Sequence, residues 1–283
     1  MIQPGYYNLL AASFGLFTAH ELEYYWGSYT NYSGILYPTT APQYSQYDIW
    51  ASPFRQFVSD MSVTGATQIS GVYQGSDFVA RGTSGLAIDF NMARVLVSGS
   101  GLSNPTAAYA FRDFSIYYTT QSEPELLIEN VYEVQPSITQ ITGALFWNQQ
   151  TVPAIFIKNN FTENTPWAFG GTDLTKTTMT CIVLSDSQYK LDACCGALAD
   201  TARKYFPLFP VESLPFGVLG DYKDPVSGYN YINLCNNYTG FLVFIDKVRV
   251  SKFSENNNKR IGKTIFAALV DFELQFARDP RRR

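Results

Sequence analysis

The sequence predicts an α+β fold, predominantly β, with antiparallel strands and one core helix packed on a C-terminal sheet. Three observations carry this. Thr178, Thr180, Ile182 and Leu184 alternate with Met179, Cys181 and Val183, a β-branched, largely apolar run suited to a strand buried on both faces. Next, Leu191, Cys194 or Cys195, Leu198, Ala202 and Tyr205 recur at helical spacing, opened by Ser185 and Asp186 as caps and closed by Pro207. Finally, Val270, Phe272, Leu274 and Phe276 alternate with Asp271, Glu273 and Gln275, a strand with one face in a core and one in water. With a further strand at 240–250, the C-terminal module 176–283 reads strand, helix, strand, strand.

Taken in order, residues 1–48 read as an N-terminal arm with a short helix at 7–26. Tyr29, Tyr32, Tyr37, Tyr44 and Tyr47 follow, scattered among Ser, Thr, Pro and Gly without core periodicity. Such a segment orders against something else, either its own domain or a neighbour, and these tyrosines are candidate subunit contacts. The mainly-β body, 49–283, begins with a short helix predicted at 50–57. Brief apolar runs then come at Val63, 69–73, 78–81, 86–90 and 94–97, separated by Gly- and Asn-containing turns, so 49–175 reads as a meander or small sandwich continuous with the C-terminal module. A Gly- and Ser-rich loop at 99–105 marks a hinge. Strands are predicted at 111–119, 125–134 and 155–158, a strand or helix at 138–148, and a loop at 162–174.

Composition narrows the function. With 46% hydrophobic and 16% charged residues the chain folds, and its 16% aromatic content suits extensive contact surface. A net charge of −4 argues against a dedicated nucleic-acid binder. The basic exception is the end of the chain, where Arg278, Arg281, Arg282 and Arg283 are candidates for contact with DNA or an acidic partner. The four cysteines suit neither a disulfide scaffold nor a zinc site and read as small buried residues, with one bridge through Cys235 left open. The apolar stretch 9–19 is too short to span a bilayer and lacks the basic start of a signal peptide, so the chain is expected to be made and used in solution.

No catalytic signature emerges. His20, beside Glu21 and Glu23, is the single histidine and reads as a surface or interface residue. Gly262-Lys263-Thr264 resembles the end of a phosphate-binding loop, but Asn257 stands where its first glycine belongs. Asp186, Asp192 and Asp200 are explained by capping and solubility. The reading is of a non-enzyme without cofactor or metal.

Several stretches resemble the neck proteins of contractile-tailed bacteriophages, which join the head portal to the tail. They are Ser70-Gly71-Val72-Tyr73, the run 81–89 with Arg94-Val95, the run 180–187, and Val270-Asp271-Phe272-Glu273-Leu274. These are framework patterns of turns and strands rather than a catalytic signature. The resemblance implies a virion protein made in the host cytoplasm: a homo-oligomeric ring around the DNA channel, contacting a connector on one side and a tail terminator or collar on the other, away from any membrane. Tail, baseplate and capsid-decorating proteins are alternatives in the same class. A carbohydrate-binding, receptor-recognition module is the alternative from another.

Overall fold

The computed structural model describes residues 6–54, 56–83, 85–99, 101–121, 133–134, 151–166, 171–216, 229–253 and 265–278. The fold is α+β and predominantly β, as the strand patterns predict. Helix α1 (Tyr6–His20) runs into a π-helical turn, Glu21–Tyr25. Strands β1 (Tyr29–Ile35), β2 (Tyr37–Thr39) and β3 (Asp48–Ala51) follow. Next come β4 (Gly71–Gln74), β5 (Asp77–Ala80), β6 (Leu86–Asp89), β7 (Arg94–Val97), β8 (Thr106–Arg112) and β9 (Ser115–Tyr118). A short pair, β10 (Glu133–Val134) and β11 (Thr151–Val152), precedes the long strands β12 (Ala154–Pro166) and β13 (Asp173–Ser185). Helix α2 (Gln188–Ala199), β14 (Tyr205–Pro207), α3 (Tyr231–Asn236), β15 (Leu242–Lys252) and β16 (Phe266–Arg278) complete the chain.

The C-terminal strands build a six-stranded sheet in the order β14-β15-β16-β13-β12-β9, antiparallel except where β9 lies parallel to β12. As its doubly apolar sequence requires, β13 sits inside this sheet. On one face Met179, Cys181 and Val183 join Ile155, Ile157, Val270 and Phe272 in the main core. On the other, Ile182 and Leu184 pack with Ala154, Phe156 and Ala267. Helix α1 crosses the first face: Phe14 meets Phe272 of β16 at 4.9 Å and Phe206 of β14 at 5.6 Å, centroid to centroid. Helix α2 adds Leu191, Cys194, Cys195 and Leu198 to the same core.

The remaining strands form two four-stranded sheets, β1-β8-β4-β5 and β2-β3-β7-β6. Val72, Ala107 and Tyr109 of the first share the main core with Leu86, Ile88 and Val95 of the second. Residues 28–48 therefore do not form a separate arm. β1 pairs along its whole length with β8, from Tyr29↔Arg112 to Ile35↔Thr106, and β2 pairs with β3. The backbone groups of this irregular-looking sequence are satisfied by strands distant in the chain, a pairing that local periodicity does not register.

Other boundaries move for identifiable reasons. Residues 50–54, 56 and 57 hold the end of β3 and irregular chain, with Trp50 opposite Val95, instead of a helix. The expected strand 111–119 breaks after Arg112, and its halves enter different sheets. Within the expected loop 162–174, residues 162–166, 173 and 174 are strand: β12 pairs with β13 as far as Pro166↔Asp173. Helix α2 stops at Ala199, where Thr201 Oγ1 donates to the Leu198 carbonyl at 2.7 Å and Arg203 adopts φ 70°, so that Tyr205 opens a strand. Val63 lies between two turns, its N–H bonded to the Asp60 carbonyl and its own carbonyl to the Ala66 N–H. The elements expected at 125–132 and 138–148 lie outside the described residues, as does Gly262-Lys263-Thr264.

Candidate functional site

The densest cluster of ionisable side chains gathers where α1 gives way to its π turn. His20, expected to be a surface or interface residue, is buried here, because the loop around Asp60 covers it. His20 Nδ1 donates to Asp60 Oδ2 at 2.7 Å. Asp60 Oδ1 accepts from the Ser62 N–H at 2.9 Å, the Ser62 hydroxyl at 2.7 Å and the Tyr231 N–H at 3.0 Å. Burial alone would raise the Asp60 pKa, yet these hydrogen bonds outweigh it and hold the carboxyl below its ordinary value. The imidazole stacks between Tyr24 (4.9 Å) and Tyr231 (4.5 Å).

Two more ion pairs radiate from the same turn. Glu23 accepts from Arg112 Nε at the β8–β9 junction. Burial alone would lower the Arg112 pKa, and the adjacent carboxylate more than offsets it. Glu21 Oε2 lies 2.6 Å from Lys204 Nζ, and that ammonium also sits 4.7 Å from the Tyr25 ring centroid. The turn thus fastens α1 to the Asp60 loop, to α3 and to the α2–β14 connection.

The cluster is built to hold structure together. A Ser–His–Asp triad needs its serine on the imidazole nitrogen opposite the aspartate. Ser62 instead lies on the Nδ1 side, 3.4 Å from that nitrogen, and its proton goes to Asp60. Among the described residues no group of three or more His, Cys, Asp and Glu side chains is arranged to hold a metal ion. All four cysteines are free. Burial pushes the Cys181 and Cys194 thiols up and holds Cys195 at about 11, so these sulfurs stay protonated and poorly nucleophilic at neutral pH.

The candidate contact tyrosines divide. Tyr44 is buried: its hydroxyl donates to Asp89 at 2.7 Å, on the face of β6 and β7 where the fully buried Arg94 also lies, so it cannot meet a neighbour. Tyr29, Tyr32, Tyr37 and Tyr47 are half-buried, Tyr32 against Phe54 and Tyr109, Tyr47 against Tyr44. Arg278 ends β16, while Arg281, Arg282 and Arg283 lie outside the described residues. β16 is an interior strand, paired with β13 throughout and with β15 along most of its length.

The open edges lie elsewhere. Among the described residues, β9 and Thr119 cover the outer side of β12 at its start, and no strand pairs with 159–166 there. On the opposite side of the sheet, β14 and the preceding turn cover β15 through Ile245, and no strand among the described residues pairs with 247–252 on that side. Exposed aromatic and aliphatic groups cluster beside these edges: Tyr118 and Phe161 flank a groove of about 530 Å³ next to β12, and Tyr205, Phe241 and Leu242 crowd the start of β15. Tyr24, Tyr25 and Trp26 form a third cluster at the end of the π turn. No sequence pattern marks the first two surfaces, because each collects residues remote in the chain.

The stretches that carry the phage-neck resemblance fall on the framework, at β4, β6 and the chain leading into it, the start of β7, the end of β13 and the middle of β16. No protein-family model matches the chain, and no curated protein matches it significantly in sequence. No helix among the described residues is long and apolar enough to cross a membrane.

Proposed function

We propose that this chain is a bacteriophage virion structural protein, a neck component that forms an oligomeric ring between the head portal or connector and the tail. The observation carrying this reading is the grouping of exposed large apolar side chains into three clusters, two of them beside unpaired sheet edges. Scattered exposed hydrophobics are ordinary, whereas contiguous patches of aromatic residues are characteristic of protein interfaces. The phage-neck resemblance of the framework stretches points the same way. In a ring, the few arginines at the C-terminus would repeat into a belt able to meet DNA, although a single acidic protomer grips it poorly.

Mass spectrometry of purified virions, with imaging of the head–tail junction, tests the reading. A fixed number of copies per particle at that junction is the expected result; absence from purified virions would overturn it. Copies elsewhere in the particle would make it a tail, baseplate or decoration protein instead. One observation favours glycan recognition as a second reading: Tyr24, Tyr25 and Trp26 present exposed aromatic faces on which sugar rings can stack. That reading predicts glycan-array binding by the isolated chain, which a neck component should not show.

A further inference from the structure

We infer that copies of this chain join head to tail by pairing the open half of β12 in one copy with the open half of β15 in the next. The inference rests on the ring reading above and names its interface. Direction comes first: β12, β13, β16 and β15 alternate, so the two outer strands run opposite ways. A second copy placed beside the first in the same orientation therefore presents β15 antiparallel to β12, continuing the sheet's own pattern.

The offset follows from the registers. Phe161, Thr178, Glu273 and Lys247 lie in one row across the sheet, with the open part of β12 extending to one side of it and that of β15 to the other. The open halves meet only if the second copy slides along the strands. Side chains alternate between faces, so the slide must be an even number of residues, or the buried face of one copy would continue the wet face of the other. A slide of four residues, ~14 Å at ~3.4 Å per residue, pairs 161–165 with 247–251. In this register β14 of the incoming copy lies one row beyond Pro166, the turn before it comes level with that residue, and Lys252 lies opposite Asn159 at the groove. The Asn159 side-chain amide is buried there with neither nitrogen nor oxygen hydrogen-bonded.

Charge suits the same register. Residues 159–166 carry one acid, Glu163, and no base, whereas 247–252 carry Lys247, Arg249 and Lys252 and no acid. The four-residue slide sets Glu163 directly opposite Arg249 on the same face. Arg249 also bonds Glu273 of its own chain at 2.8 Å but remains 67% exposed, leaving guanidinium edge for a second carboxylate. Pairing β15 with another β15 would oppose three bases to three bases, and pairing 159–166 with its own copy would offer Glu163 no base within that stretch. A head-to-tail contact repeats, closing into a ring when the rotation per copy allows it.

The test uses the full-length chain, with mass measured by light scattering and native mass spectrometry over a concentration series. Wild type is expected to self-associate. Glu163→Arg and Arg249→Glu should each weaken association tenfold or more, and a 1:1 mixture of the two should assemble again, because alternating copies restore opposite charges at every contact. Unchanged near-UV circular dichroism checks that both variants fold. Should either misfold, the Glu163→Cys, Arg249→Cys double variant replaces it and should give disulfide-linked ladders on mild oxidation. A wild-type chain that stays monomeric overturns the inference, as does an Arg249→Glu variant that associates like wild type, or an oligomer without ladders. The last two leave the ring reading intact; only absence from virions removes that.

Discussion

Asp60 shows how one carboxylate can organise a region when its oxygens accept four hydrogen bonds from three segments. Its folded-state pKa lies below the ordinary value of 3.8, so the stabilisation is fully present above that value and is lost as pH falls through the depressed one. Asp60→Asn is therefore expected to lower the melting temperature at pH 7, with the gap to wild type narrowing below about pH 4; thermal melts from pH 7 to pH 2 read both effects. A gap that does not depend on pH would mean that the ionised carboxylate is not the source. Cys181, fully buried beside Cys194 and Cys195, calls for a different change. Cys181→Ser places a hydroxyl where no partner is assured and should cost about 1–3 kcal/mol, measurable by urea denaturation. The burial of Cys181 was legible from its place in an apolar run. That of His20 was not, because its covering residues lie some forty positions away.

At the scale of elements, the N-terminal segment departs furthest from its sequence appearance. It supplies one strand to each four-stranded sheet, and Leu36 and Tyr44 sit in cores. Deleting 28–48 would expose β3 and β8 on the sides they now pair and remove those side chains. The deletion is expected to abolish cooperative folding, seen as loss of near-UV circular dichroism and of a thermal transition. A soluble, cooperatively melting variant deficient only in assembly would restore the view of this segment as an arm. The long strands were easier to read, since alternation over many residues reports a buried face directly. The length of β12 was not, because beyond Ile157 it is polar and held mainly by its hairpin partner β13.

For the molecule as a whole, the two step-shaped sheet edges matter more than any single patch, because their open halves have opposite directions and complementary charge. The basic C-terminus follows β16 at an end of the same sheet. If the protein surrounds DNA, replacing Arg281, Arg282 and Arg283 with Ala should leave folding and self-association unchanged and lower the fraction of DNA-retaining particles. Normal infectivity with normal DNA retention would remove the C-terminus from the mechanism.

The sequence by itself determined the class of fold, the interior place of β13, the helix that follows it and the one-sided burial of β16, because these depend on the spacing of apolar residues within one segment. Only the tertiary structure decided that the tyrosine-rich segment is strand, that His20 is buried against Asp60, and that among the described residues β12 and β15 leave part of the sheet's edges open. Each of these turns on which distant segments share hydrogen bonds. A backbone N–H looks the same in sequence whether a strand, a loop or nothing meets it.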